Sequence, residues 1–130
     1  MKAEQTPVCA DEERTALVRD VLSRMGDKWS VLVICRLGCG PRRFNALRRE
    51  TGTITQRMLS STLRGLERDG VVSRTVHPTV PPKVEYALTG TGRSLLGVVQ
   101  ALAGWTEEHL DEIREARAAY DARAEDPARD

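Results

Sequence analysis

The sequence is poor in several features that define whole classes of protein. Only five of its 130 residues are aromatic and only three are cysteine, too few for a secreted scaffold held together by disulfides. The longest apolar run, residues 31–35, is far shorter than the roughly 20 residues that a membrane-spanning helix needs. Residues 1–10 lack the apolar stretch of about seven or more residues that a secretory signal requires. We therefore expect a cytoplasmic protein without a membrane partner.

The signatures of catalysis and of bound cofactors are also missing. The sequence contains no motif that pairs a nucleophile with a base, no motif with paired carboxylates and no phosphate loop, so we do not expect an enzyme. A zinc site built on Cys35 and Cys39 would need two more ligands. Neither His77 nor His109 has the spacing of such a site. We predict neither a metal nor another cofactor.

Charge, in contrast, is abundant and unevenly distributed. The net charge is only +1, yet residues 36–83 carry ten basic and three acidic side chains, whereas residues 103–130 carry nine acidic and four basic ones. This separation is typical of a protein that presents a positive surface to a polyanion. Charge alone leaves open a simpler interpretation, in which the basic side chains form only a solvated surface.

Apolar spacing predicts five helices and one β-hairpin. The predicted helices cover residues 11–25, 29–37, 43–51, 56–69 and 90–124, and the predicted strands cover residues 71–77 and 84–88. The second helix is apolar nearly all round, as expected of a buried central helix in which Cys35 is a small apolar filler. Three short helices followed by a hairpin are typical of a winged helix-turn-helix, a mainly α fold with a β-hairpin wing.

The whole chain is expected to form one such domain over residues 11–124. A flexible N-terminal segment, residues 1–10, would precede it, and a disordered tail, residues 125–130, would follow it. Trp29, Phe44 and Tyr86 lie in apolar periodic contexts, so we predict that they belong to the core.

The fourth predicted helix has the features of a DNA recognition helix. Leu59, Leu63 and Leu66 are spaced four and three residues apart and form one apolar stripe. The opposite face carries polar and basic side chains. Arginine can bind guanine through two hydrogen bonds, and glutamine and serine can contact base edges or phosphate. The candidate residues on or before this helix are Thr55, Gln56, Arg57, Ser60, Ser61 and Arg64.

Further polar and basic residues are candidates for phosphate or wing contacts with DNA. Arg42 and Arg43, predicted at the start of the preceding helix, suit either a phosphate contact or a pair with a local acid. The hairpin loop contains three prolines, so it would lose little entropy on binding. The complete set of phosphate and wing candidates is Arg42, Arg43, Arg74, Thr75, His77 and Lys83.

Several blocks of the sequence stand in a characteristic order and spacing. They are Gly26-Asp27-Lys28-Trp29, the stretch GPRRFNAL at 40–47, ITQRML at 54–59, LRGLERDG at 63–70, and the hairpin residues 74–89. Over about residues 15–110 the chain resembles the HxlR-type winged helix-turn-helix regulators of bacteria, which are related in fold to the MarR group. In the first block, Asp27 replaces a glycine that is common in that family.

The resemblance implies a homodimer that binds a roughly palindromic operator, with the first and last helices in the dimer contact and the wing beside the DNA. The small core favours the same conclusion, because it cannot cover both long terminal helices. The candidate dimer residues are Leu17, Val21, Leu102, Trp105, Leu110 and Ile113.

Cysteine offers candidate sites for regulation. Family members that sense oxidants commonly carry a cysteine about a dozen residues before the Gly-Lys-Trp block, whereas Cys9 lies 20 residues before Trp29. Cys9 and Cys39, the latter at a helix end, are our candidate thiol sensors.

We therefore expect a sequence-specific, double-stranded-DNA-binding transcriptional regulator. It would bind an inverted-repeat operator as a homodimer and respond to a small molecule or an oxidant. We expect a repressor in preference to an activator. The alternative is a winged-helix protein-interaction module that uses its basic face to bind an acidic partner.

Overall fold

A computed structural model describes residues 12–125 of the chain. In chain order the elements are α1 (Glu12–Gly26), α2 (Lys28–Leu37), β1 (Arg42–Arg43), α3 (Phe44–Thr51), α4 (Gln56–Arg68), β2 (Val72–His77), β3 (Lys83–Leu88), α5 (Gly90–Glu108) and α6 (Leu110–Ala124). The predicted mainly α, winged helix-turn-helix fold is confirmed. The expected flexible segment, residues 1–10, and all but the first residue of the expected tail lie outside the described residues.

The chain divides into two compact units, residues 1–96 and residues 97–130. The described part of the first unit contains the four helices α1, α2, α3 and α4, the sheet and the first turns of α5. The second contains most of α5 and all of α6. Between residues 12 and 125, none of the helices combines the length and the apolar character that crossing a membrane would demand.

Asp27 is the N-cap residue of α2, and its hydrogen bonds explain why an acidic residue suits this position. Its carboxylate accepts hydrogen bonds from the Trp29 backbone N–H at 3.1 Å and from the Ser30 hydroxyl at 3.2 Å. An N-cap of this kind satisfies one of the donors that the first helical turn leaves unpaired, and it is worth about 1 kcal/mol. The aspartate that departs from the family pattern therefore stabilises the start of α2.

The core of the first unit is aliphatic and centres on α2 and α4. Trp29, Phe44 and Tyr86 are half-buried against this core, as predicted. The buried apolar residues are Val33, Ile34, Leu37, Leu47, Ile54, Leu59, Leu63, Leu66, Val71, Val72 and Leu88.

The prediction of an entirely buried α2 was wrong. Its buried residues are Ser30, Val33, Ile34 and Leu37, which share one side of the helix. Leu32 is 37% exposed. Cys35 is exposed as well, so it is not the apolar filler that we expected. Apolar composition does not by itself determine burial, because a helix buries only those faces against which other elements pack.

The sheet has three strands rather than the two that were predicted. All pairs are antiparallel in the order β1-β3-β2, and β2 and β3 form the expected hairpin with His77 opposite Lys83. Arg42 pairs with Tyr86 and Arg43 pairs with Glu85. Arg43 is therefore an extended residue before α3, not the first residue of that helix.

Two short helices are each followed by a glycine with a positive φ. Gly52 after α3 and Gly70 after α4 have φ values of 85° and 76°, which side chains with a Cβ rarely adopt. Gly92 has a different role, because a Cβ at this position would collide with the Val71 carbonyl oxygen. The first turn of α5 can therefore lie directly against the start of β2.

The long C-terminal helix that the sequence predicted is two helices. It is interrupted at His109, whose φ and ψ are −111° and 17°. The His109 ring stacks on Trp105 with the ring centroids 4.5 Å apart, and its Nδ1 lies 2.8 Å from the Trp105 carbonyl oxygen. No glycine or proline marks the break, so the apolar pattern could not reveal it.

Candidate nucleic-acid interface

Helix α4 has a polar face opposite a fully buried stripe of leucines. The Thr55 hydroxyl accepts a hydrogen bond from the Met58 N–H at 3.1 Å, so Thr55 is the N-cap of α4. Leu59, Leu63 and Leu66 are at most 2% exposed. On the other side of the helix the side chains of Gln56, Arg57, Ser61 and Arg64 are exposed, and Ser60 is half-buried. The helix is thus anchored through its leucines and offers its candidate base-reading residues to solvent.

A cleft of about 510 Å³ lies between α4 and the sheet. It brings three residues of the α4 face, Gln56, Ser60 and Arg64, together with Arg74 of the hairpin. Its other lining residues are Phe44, Leu63, Glu67 and Tyr86. Sequence reasoning placed Gln56, Ser60, Arg64 and Arg74 among the candidates, and tertiary structure joins them into one surface.

Two residues on α4 were missed. Met58, in the first turn, is 40% exposed although it is apolar. Glu67 lines the cleft one turn beyond Arg64. The spacing of three residues from Arg64 was a signal for Glu67. Met58 had no such signal, because an apolar residue on a helix is usually assigned to the core.

The candidate residues of the wing differ in their exposure and in their partners. Arg74, Thr75 and Lys83 are exposed. His77 has a partner across the hairpin, since its Nε2 lies 3.1 Å from Glu85 Oε1. The wing tip is accessible, with Val80 fully exposed, and the Val80–Pro81 peptide bond is cis.

Arg42 and Arg43 differ in their surroundings. Arg42 Nε lies 3.2 Å from one Glu50 carboxylate oxygen and 3.3 Å from the other, and its Nη1 donates to the Gly40 and Pro41 carbonyls. Of the two alternatives for Arg42, the structure shows the pair with a local acid. Arg43 is exposed and lines a small cleft that also includes Arg49. Arg49 is a basic neighbour that was not among the candidates.

The candidate dimer residues lie in both units. In α1, Leu17 and Val21 are 63% and 39% exposed. In the second unit, Leu102, Trp105 and Leu110 are exposed and Ile113 is half-buried. In these helices Leu22, Val98 and Tyr120 are also exposed, although they were not among the candidates.

The described cysteines, Cys35 and Cys39, are both free thiols and both exposed. Cys9, the other candidate sensor, lies outside the described residues. Within residues 12–125 no group of three or more His, Cys, Asp or Glu side chains is arranged to hold a metal ion.

Comparison with known proteins agrees with this architecture. The family model described as HxlR-like helix-turn-helix matches residues 24–114. The chain belongs to the HxlR-like helix-turn-helix family. This HxlR-like match includes α3, α4 and the wing, which carry or flank the candidate nucleic-acid interface.

Relatives of this HxlR-like chain are transcriptional regulators. The uncharacterized HTH-type transcriptional regulator YtfH of Escherichia coli (strain K12) is 42% identical over 104 residues, which is 78% of this chain and 82% of YtfH. The structure of the redox regulator HypR in its reduced form is 43% identical, with a TM-score of 0.68 over 75% of this chain and 97% of HypR. A MarR-family transcriptional regulator from Enterococcus faecalis V583 is 31% identical, with a TM-score of 0.71 over 85% of this chain and 99% of that protein.

Proposed function

We propose that this protein is a sequence-specific transcriptional repressor that binds an inverted-repeat operator as a homodimer. The observation that carries the proposal is the exposed polar face of α4, held on its leucine stripe and continuous with Arg74 of the hairpin through one cleft. A helix of this kind enters the major groove, and a hairpin beside it contacts the backbone.

The surface divides into base-reading and backbone-binding residues. Gln56, Arg57, Ser61 and Arg64 are exposed on α4 and have the hydrogen-bonding groups that read base edges. Around them, Arg43, Arg74, Thr75 and Lys83 would bind phosphates and fix the register of the helix. Arg42 and His77 each have an acidic partner, so we assign them to positioning the backbone-binding residues.

Dimerisation would follow from the apolar side chains that the chain leaves exposed. Leu17 and Leu102 are more than 60% exposed, and Trp105 is 52% exposed. A second copy that covers these side chains would remove them from water. Two-fold symmetry would then place two α4 helices on half-sites one or more DNA turns apart, about 34 Å per turn.

Repression and thiol sensing complete the proposal. A dimer seated on an operator would exclude RNA polymerase from the promoter, and it would act in the cytoplasm, where bacterial DNA lies. HypR is named as a redox regulator, and this chain carries an exposed thiol at Cys39. We therefore propose that an oxidant, acting on Cys9 or Cys39, releases the DNA.

Selection from random duplex DNA at physiological salt, followed by sequencing, tests the proposal. We expect an inverted repeat to be enriched, and we expect a thiol oxidant to abolish the enrichment unless Cys9 or Cys39 has been changed to serine. If only weak, salt-sensitive binding without a motif remained, the regulator proposal would fail. The alternative of a module that binds an acidic protein would then be favoured.

Two matched arginine variants test whether α4 contacts the edges of DNA bases. Arg64→Ala removes a side chain from the α4 face, and we expect it to relax preference at one base position per half-site by about 1–3 kcal/mol. Arg117→Ala removes an exposed arginine from α6 and should leave the selected motif unchanged. An equal loss of affinity on every sequence would show instead that Arg64 contacts phosphate.

A further inference from the structure

Helix α2 ends between two thiols. Cys35 lies in its last turns, and Cys39 follows one residue after the C-cap Gly38. Both thiols are exposed and neither is in a disulfide. The hydrophobic core therefore does not include these two thiols.

The backbone places the two thiols on the same side of the helix. Beyond Leu37 the chain turns more tightly, since the Gly38 N–H donates to the Ile34 carbonyl at 3.0 Å, as in an α-helix, whereas the Cys39 N–H donates to the Arg36 carbonyl at 3.1 Å, the spacing of a 3₁₀ turn. Positions four apart on an α-helix differ by about 40° around its axis, with Cβ atoms about 5–6 Å apart, and one 3₁₀ step adds about 20°, so the two thiols still share a side. The buried residues of α2 occupy the opposite side.

This spacing disfavours a direct bond between the sulfurs and favours a bridge through a third atom. A disulfide requires Cβ atoms about 3.5–4.5 Å apart, so closing one here would unwind the last turn. A third atom bonded to both sulfurs at about 2.3 Å, the length of a zinc–thiolate bond, with a bond angle near 100°, holds the sulfurs about 3.5 Å apart, compared with about 2.0 Å in a disulfide. Rotation about the Cys35 and Cys39 side-chain bonds can meet that separation without moving the helix.

The number of donors narrows the class of ligand. In the part of the chain that the structure describes, these two thiols are not joined by further His, Cys, Asp or Glu side chains into a set of three or more. A structural zinc site needs four ligands, whereas soft ions bind thiolates in smaller numbers. We propose that Cys35 and Cys39 form a two-thiol site for trivalent arsenic compounds, whose soft, thiophilic arsenic atom bonds to two sulfurs.

Phenylarsine oxide is a probe with defined chemistry for this site. Two As–S bonds form, the bond between arsenic and oxygen breaks, and the oxygen leaves as water with the two thiol protons. Arsenic stays trivalent throughout, so the step needs neither an oxidant nor a reductant. The site shares neither thiol with the base-reading and phosphate-binding surface, so this binding can be measured whether or not the protein binds DNA.

The experiment uses the full chain carrying Cys9→Ser, in which the remaining thiols are Cys35 and Cys39. We expect one phenylarsine oxide per chain to consume both thiols, with one adduct by intact mass and no change in oligomeric state. Adding Cys35→Ser or Cys39→Ser should weaken binding by about 100-fold or more, because the second sulfur then no longer acts at high effective concentration. Circular dichroism checks that each variant is folded.

A second variant, which also has two thiols, distinguishes the effect of the spacing between the thiols from the effect of their number. Cys9→Ser, Cys39→Ser and Lys28→Cys together leave thiols seven residues apart, about 10.5 Å along the helix, which one arsenic atom cannot bridge. This variant should bind as weakly as the single-thiol variants. Equal affinity in any of the three control variants would overturn the proposal, and so would one adduct per two chains.

Discussion

Arg24 joins the end of α1 to the end of α4. Its Nε lies 2.9 Å from Asp69 Oδ2, and both side chains are 29% exposed. The guanidinium also lies across Gly65 on α4, where a Cβ would collide with it. The glycine in the middle of α4 is therefore explained by a side chain from another helix, and the position of the recognition helix depends partly on α1.

Gly65→Ala should have an effect that depends on Arg24. In an otherwise unchanged chain, alanine gains up to about 1 kcal/mol of helix propensity but displaces the guanidinium and its ion pair, worth about 0–1 kcal/mol, so we expect little net change. In an Arg24→Ala background the same substitution should stabilise by up to about 1 kcal/mol. Urea denaturation of the four proteins in this cycle measures the difference. An identical gain in both backgrounds would show that Arg24 does not occupy this space.

Gly92→Ala should destabilise the protein by about 1–3 kcal/mol, because the new Cβ meets the Val71 backbone oxygen rather than a movable side chain. Gly97→Ala, on the same helix, is the control. A Cβ there meets no atom within 4 Å, so alanine should stabilise by up to about 1 kcal/mol. Thermal unfolding of both variants shows whether each substitution stabilises or destabilises the protein. A neutral Gly92→Ala would mean that α5 does not lie against the start of β2.

Lys83→Ala should weaken DNA binding by a similar factor on every sequence and should reduce the slope of log affinity against log salt concentration by about 1. Lys83 is exposed where β3 begins, next to the wing loop, and a phosphate contact there carries no sequence information. Lys28→Ala, which removes an exposed lysine from the start of α2, should leave the slope unchanged. Fluorescence anisotropy at several salt concentrations measures both, and an unchanged slope for Lys83→Ala would remove it from the interface.

Trp105→Glu should convert the proposed dimer to a monomer without unfolding it. The indole is 52% exposed in the single chain, so a charge there costs little in the monomer but would be buried without a partner in a dimer contact. Val80→Glu, at the fully exposed wing tip, should leave the dimer intact. Size-exclusion chromatography with light scattering decides the matter. If the unchanged chain is already a monomer at micromolar concentration, the dimer proposal is wrong.

Much of the proposed DNA-binding surface could be predicted from the sequence because it depends on short-range patterns. The spacing of Leu59, Leu63 and Leu66 determines which side of α4 is buried, so the opposite side follows from helical geometry. Thr55 begins this helix and Gly70 follows its end for local reasons of hydrogen bonding and backbone conformation. The same short-range logic predicted the hairpin.

Tertiary structure decided the features that depend on residues far apart in the chain. The strand β1 exists only because Arg42 and Arg43 meet β3 more than forty residues later, and two residues carry no periodicity of their own. Cys35 is exposed because the core contacts a single side of α2, which apolar composition does not reveal. Local patterns of side chains thus determined the helices and the proposed DNA-contacting face, whereas pairing and packing over long distances determined which residues have partners and which remain accessible.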